Sequence, residues 1–255
     1  MRLPFILSTL IAVALFFEAH TTVHAGDTNI SPQSISVISG NFSADTGNGS
    51  ALTDAIDRSG LLLAPTEFQT ADLSSVLHDT ADANEARLFP GPAATIRLDL
   101  GSPMSITRAY FWNNNSSGNN NVGTYVYTFR DGSLSVLGAS PTLNATNITT
   151  TTATSDVYSL PSTLANVRFV DVALTIRPGS GIDSFGVGEV AFSVPGSSIQ
   201  IARDGQQLMI EFSGRLQTTT DFGEWVDLDP QPASPFFFSI DGPRRFFRAT
   251  CDAPE

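Results

Sequence analysis

Trp112 stands directly before Asn113-Asn-Asn-Ser-Ser-Gly-Asn-Asn-Asn121. An aromatic ring beside a cluster of amides has the parts of a sugar site. The ring covers the apolar C–H face of a pyranose, and amides such as Asn113 and Asn115 exchange hydrogen bonds with its hydroxyls. His78, Asp79 and Arg87 fall in another long loop that would reach the same rim. The same residues have a plainer reading. Runs of Asn, Gly and Ser are turn formers, and Trp112 shares a strand face with Arg108 and Tyr110 that could equally be core. Both readings stand on the sequence.

Catalytic chemistry has fewer candidates. Nucleophilic or acid–base catalysis of the Ser-His-Asp or Cys-His kind requires a base. Two of the three histidines, His20 and His24, fall in an expected leader segment, which leaves His78. Cys251 is the one cysteine and sits at the tail, so no intrachain disulfide and no CxxC zinc site is available. There is no GxSxG elbow, HExxH helix or Walker loop. A glycosidase pair would need two carboxylates separated by about 5 to 9.5 Å, a distance the sequence does not give. The chain reads as non-enzymatic.

Composition bounds the partners. The 255 residues carry a net charge of -12 and all thirteen basic residues are Arg. With no basic run, binding to nucleic acid or to an anionic membrane surface is not expected. At 41% hydrophobic and 9% aromatic residues, the chain has enough apolar surface for a core. Arg2, the mostly apolar run Leu3 to Phe17 and the small-residue site Val23-His-Ala25 predict a signal peptide over residues 1–25, and therefore a secreted protein. The run is shorter than the roughly 20 apolar residues a spanning helix needs, so no membrane insertion is expected after cleavage.

The elements that would position these residues are strands. Thr95 to Leu100, Ile106 to Trp112, Tyr125 to Phe129, Val167 to Ile176 and Gly186 to Val194 alternate or carry β-branched and aromatic residues between Gly, Asn and Pro punctuation. In Val167–Ile176 the even positions from Arg168 to Ile176 are the more core-like. Asp79 to Leu88 reads as one or two helical turns, acid first and Arg87 near the end. Pro195–Ser198 reads as a linker. Beyond it, residues 199–255 form a small β module with strands near 208–212, 215–218, 225–228, 235–240 and 245–248. A module this small buries only about 60% of its unfolded surface, so Phe236–Phe238 and Phe246-Phe247 are expected in packing. The fold class is all-β, an antiparallel β-sandwich over residues 26–194 followed by the small β domain.

An ordered series of segments carries a resemblance. Ala55-Ile-Asp-Arg-Ser-Gly60, Thr95-Ile-Arg-Leu-Asp-Leu-Gly101, Ile106-Thr-Arg-Ala-Tyr-Phe-Trp112, Val167-Arg-Phe-Val-Asp-Val172 and Gly186-Val-Gly-Glu-Val-Ala-Phe192 resemble, in order and spacing, the discoidin or coagulation-factor C-type domain of the galactose-binding-like superfamily. The resemblance covers roughly Ser34 to Val194 and implies a jelly roll. It also implies a structural Ca2+ held by Asp57 in the early turn and Glu189 on the last strand. Arg58 departs from the family, which usually has Gly there. The tail segments Leu216-Gln-Thr-Thr-Thr-Asp-Phe-Gly-Glu-Trp225 and Phe246-Phe-Arg248 resemble small β modules that end many secreted bacterial proteins.

Together these readings lead to a secreted, non-catalytic protein that recognises a glycan or another cell-surface ligand. The expected site is Trp112, Asn113, Asn115, His78 and Arg87. The alternative is a structural envelope or matrix component without a sugar site; a glycoside-active enzyme is the third.

Overall fold

The computed structural model describes residues 21–24, 27–40, 51–79, 86–88, 91–114, 121–178, 185–196, 198–204, 207–239 and 245–250. Contacts divide the chain into two units, Gly26–Pro195 and Gly196–Asp252, the second joined by the segment before Gly26. Among the described residues the only regular element that is not a strand is a short 3-10 turn, Leu52–Ala55. In the second unit, β1 (Thr21–His24), which falls inside the expected leader, pairs with Ser198–Ile201.

The larger unit contains β2 (Thr28–Ile30), β3 (Ser34–Ser39), β4 (Leu77–Asp79), β5 (Ala86–Leu88), β6 (Ala93–Asn114), β7 (Val122–Arg130), β8 (Val136–Ala139), β9 (Leu143–Asn144), β10 (Thr152–Ile176) and β11 (Phe185–Val194). Its strands are joined antiparallel in the order β2-β11-β6-β10-β7-β8. The two long strands make it a sandwich. Thr95–Asp99 of β6 pairs with β3 and with Phe169–Ala173 of β10. Beyond Gly101-Ser-Pro103, the second part of β6 pairs with β11 and with the first part of β10. The pairing register of β10 shifts at Ser159/Leu164, Leu164/Val167 and Val167/Phe169. Each long strand thus serves both layers.

Side-chain alternation fills the space between the layers. Ile96, Leu98 and Leu100 from β6 meet Val170, Val172 and Leu174 from β10 and Tyr125, Tyr127 and Phe129 from β7. Phe111, Val190 and Phe192 close the core from the other layer. From Val170 to Leu174 the inward set on β10 is the even one, as the pattern suggests; before the register shift the phase is reversed, and Val167, on the face expected to be outer, is buried in the core in place of Arg168. The bulge turns the Arg168 side chain outward, to pair with Asp99 at 2.5 Å. On the odd face Asp171 is also buried, because Arg97 and Arg130 both bind it, each at 2.6 Å. Burial pushes the Asp171 carboxyl up, but the two guanidiniums win and hold it below the ordinary range.

The helical turns expected within Asp79–Leu88 are not found where that segment is described. Both of its ends are strands, β4 pairing with Thr152–Thr154 and β5 with Phe185–Val187. Residues 80–85 lie outside the described residues.

The smaller unit holds a four-stranded sheet, β1-β12-β13-β16, with β12 (Ser198–Asp204), β13 (Gln207–Ser213) and β16 (Phe236–Ser239). Its second sheet is β15-β14-β17, with β14 (Arg215–Thr219), β15 (Val226–Asp227) and β17 (Phe246–Thr250). Among its described residues only Ile210, Leu216 and Thr219 are buried. Phe247 meets Phe236 and Phe238 edge-on, at 6.3 and 5.1 Å between ring centres. Phe237 is not part of this packing, contrary to expectation. Strand alternation turns it outward, 47% exposed.

Candidate functional site

One end of the sandwich collects many of the larger unit's strand ends. Asn114 pairs with Gly186, and Gly186 with Arg87. Val122 pairs with Ile176, whose N–H donates to the Pro92 carbonyl at 2.8 Å. The strand ends that flank 80–85, 115–120 and 179–184 are therefore neighbours. A pair of buried amides ties them together. The Asn113 amide donates to the carbonyls of Val122 at 3.0 Å and Thr146 at 2.8 Å, and its oxygen accepts the Val122 N–H. Asn121 does the same for the segment 145–148, donating to the Ile148 carbonyl and accepting the Ile148 N–H. The Arg177 guanidinium donates to the Ala145 carbonyl at 2.7 Å. Asn113 is thus a clasp for loop bases, with its hydrogen-bonding capacity spent inside the fold. It is not the free amide the sequence suggested.

The expectation for Trp112 is also corrected. Its indole is fully buried and donates to the Val76 carbonyl at 2.9 Å. It stacks on Tyr110 at 6.1 Å and packs with Leu61, Phe68, Leu73, Val76 and Ala191. The cause is the segment Leu61–Val76, which covers the face of β6 that would otherwise be outside. Ala109, Tyr110, Phe111 and Trp112 are in consequence all buried, alternately against this segment and the main core. A run of four apolar residues on a strand fits burial on both faces. That was the available signal.

His78 lies in β4, also fully buried. Its ring fills a slot between two glycines. A Cβ on Gly60 would come 2.2 Å from Nε2, and one on Gly188 would come 3.0 Å from Nδ1. Neither ring nitrogen makes a hydrogen bond of good geometry. Burial pulls the imidazole down to about 4, opposed only in part by the nearby backbone of Asp79 and Gly188 and by the charges of Asp79 and Asp57. His78 is neutral at pH 7 and sealed from any ligand on the surface. Arg87 reaches the rim through its main chain in β5; its side chain and Asn115 lie outside the described residues.

Gly188 adjoins Glu189, which the fold places opposite Trp112. Glu189 is fully buried. Its Oε2 accepts the Arg58 N–H at 2.8 Å, while Oε1 has no partner. Burial pushes this carboxyl well above its ordinary range. The Arg58 N–H pulls it back, and the charges of Asp57 and Asp54 push it further up. The early turn approaches it with Asp57, whose Oδ1 accepts the Ser59 N–H at 2.8 Å. Arg58 keeps the glycine-like turn, adopting φ 67°. Its guanidinium lies over the Phe68 ring at 5.0 Å.

This geometry makes a prediction. The left-handed conformation costs a non-glycine residue about 1–2 kcal/mol, and an exposed cation–π contact returns about 0.5–1 kcal/mol. Arg58→Gly is expected to leave stability within about 1 kcal/mol of the parent's by urea denaturation. A larger loss would mean that the guanidinium has a role beyond covering Phe68.

No family model matches the chain, and no curated protein matches it. Solved structures do. The lectin-binding domain of lectinolysin, in complex with Lewis b, aligns at a TM-score of 0.44 with 13% identity, over 65% of this chain and 93% of that one. A fucose-binding module from Streptococcus pneumoniae aligns at 0.43 with 11% identity, over 68% and 99%. An F5/8 type C domain from Bacteroides fragilis aligns at 0.43 with 12% identity, over 67% and 97%. Several of these neighbours are carbohydrate-binding modules and one is an F5/8 type C domain.

Proposed function

We propose that the larger unit is a secreted, non-catalytic carbohydrate-binding module that meets its ligand at the apical loops and not on Trp112. The observation behind this reading is the clasp of Asn113 and Asn121, which fixes the bases of several polar segments at one end of a rigid sandwich. Loops held in this way on a β scaffold are where binding groups concentrate. Within the site, Trp112, Asn113 and His78 position. Arg87 and Asn115 remain as the contacts, a guanidinium and an amide offered to ring hydroxyls. The imidazole of His78, which a Ser-His-Asp or Cys-His mechanism would need, is enclosed between Gly60 and Gly188.

The same reading includes a structural cation at Glu189. Asp57 and the carbonyl oxygens of the early turn would complete its shell, and hard oxygen donors of this kind suit Ca2+. The support is the unpartnered, buried Oε1 of Glu189, which is costly to leave unpaired. Among the described residues no group of three His, Cys, Asp or Glu side chains is set to hold a metal, so the remaining ligands would come from main chain or water. Bound there, the ion would neutralise the carboxylates and lock the turn.

Glycan-array screening of the full chain, followed by calorimetric titration, tests the ligand assignment. Arg87→Ala and Asn115→Ala are each expected to weaken binding by at least about tenfold, equivalent to about 1.4 kcal/mol, with an unchanged melting temperature. An array without hits, or variants that bind like the parent, would reject it. Exposed Phe222 and Phe237 in the smaller unit favour the second reading, a protein-contacting envelope component. An array without hits would leave that reading in place.

A further inference from the structure

The smaller unit carries an aromatic cluster, Phe222, Trp225 and Phe246, of which Phe222 stands exposed. Phe222 is 62% exposed, and its φ is 64°. A bulky side chain in the left-handed region is a backbone outlier, and such strain gathers at functional positions. The loop is built to hold it. The Asp221 carboxylate accepts the Gly223 N–H at 2.9 Å and the Thr219 hydroxyl at 3.3 Å. The Phe222 ring touches Phe246 at 3.7 Å and stands 6.4 Å from Trp225.

A row of fixed polar groups runs from these rings across the outer face of β15-β14-β17. The Arg248 guanidinium lies over Trp225 at 4.5 Å and donates to the Gln217 oxygen at 2.7 Å. The Gln217 amide donates to Asp227 at 2.9 Å, and Asp227 also pairs with Arg215. The register places Asp227, Gln217 and Arg248 side by side. Leu216, one residue away, points inward and is buried. The face therefore offers ring surfaces and prearranged donors and acceptors together. Its charges nearly offset one another: Arg215 and Arg248 stand against Asp221, Glu224 and Asp227.

We propose that this face is a second binding surface, for a neutral polysaccharide chain. Rings match the apolar faces of pyranoses, and the amide, carboxylate and guanidinium row matches their hydroxyls. A strip with no excess of positive charge gives an anionic polymer no advantage on a chain of net charge -12. The strip is made of residues of the smaller unit alone.

Affinity electrophoresis of the full chain tests it, in gels containing hydroxyethyl cellulose, laminarin or galactomannan, with alginate as the charged control. At least one neutral polymer is expected to retard the parent. Phe222→Gly, which fits the left-handed backbone without strain, is expected to weaken that retardation by about tenfold or more while melting no lower than the parent. Phe222→Tyr keeps a ring and should restore it; retardation that Arg87→Ala abolishes and Phe222→Gly keeps would belong to the apical rim and overturns the proposal. The proposal is overturned if none of the neutral polymers retards the parent, which is the result a protein-docking face would give. Retardation by alginate alone, or equal retardation of parent and Phe222→Gly, overturns it as well.

Discussion

Trp112→Ala is expected to cost about 3–5 kcal/mol of stability, the range for removing a large aromatic from a packed interior. The indole is sealed beneath Leu61–Val76, and its N–H satisfies the Val76 carbonyl. Truncation empties that space and strands a buried acceptor. For a unit of this size, about 2–4 °C per kcal/mol puts the fall in melting temperature at roughly 6–20 °C, readable by circular dichroism. Any loss of glycan binding would follow from unfolding and would return on cooling. A variant that keeps its melting temperature and loses only the ligand would reinstate the indole as an exposed platform and remove the arrangement described above.

The second large effect concerns Glu189. Its folded-state carboxyl is raised above the ordinary 4.5, so the folded form holds its proton more tightly than the unfolded form. Stability from this group is fully present below pH 4.5. It is lost as pH rises through the raised value, where the folded state must either keep a proton or bury a charge. A cation at Oε1 removes that penalty. Ca2+ is therefore expected to raise the melting temperature more at pH 7.5 than at pH 5. At a concentration a hundred times its Kd the gain is about 2.7 kcal/mol. Glu189→Gln should abolish the Ca2+ response and, without the ion, be no less stable than the parent at pH 7.5. Differential scanning calorimetry with EDTA and with Ca2+ reads both effects. If Ca2+ leaves the parent's transition unmoved at pH 7.5, the cation assignment falls.

Much of the sandwich is legible in the sequence, because period-2 patterning is enforced wherever one strand face is core and the other solvent. Ile96, Leu98 and Leu100 and the even residues of Val170–Leu174 follow that rule. The pattern misleads where a third element covers the outer face. Leu61, Leu63, Phe68, Leu73 and Val76 have no strand or helix period, so nothing local announces that they will roof Tyr110 and Trp112. The indole then looks like surface chemistry when it is structure. His78 fails for a related reason: its slot depends on Gly60 and Gly188, which are distant in sequence and meet it only in the fold. Glu189 is different again. Strand alternation alone gives no reason to single it out; the resemblance does. Its burial and its unpaired oxygen turn that implication into something a calorimeter can decide.

The two long bent strands have a mechanical consequence. β6 and β10 each run through both layers, so neither layer can swing or peel away without tearing hydrogen bonds in the other. Such a body resists hinge motion. On the proposed reading, a ligand at its apex would meet strand ends already fixed in place, with little ordering entropy to pay there, and the unit should lose its structure in one concerted step.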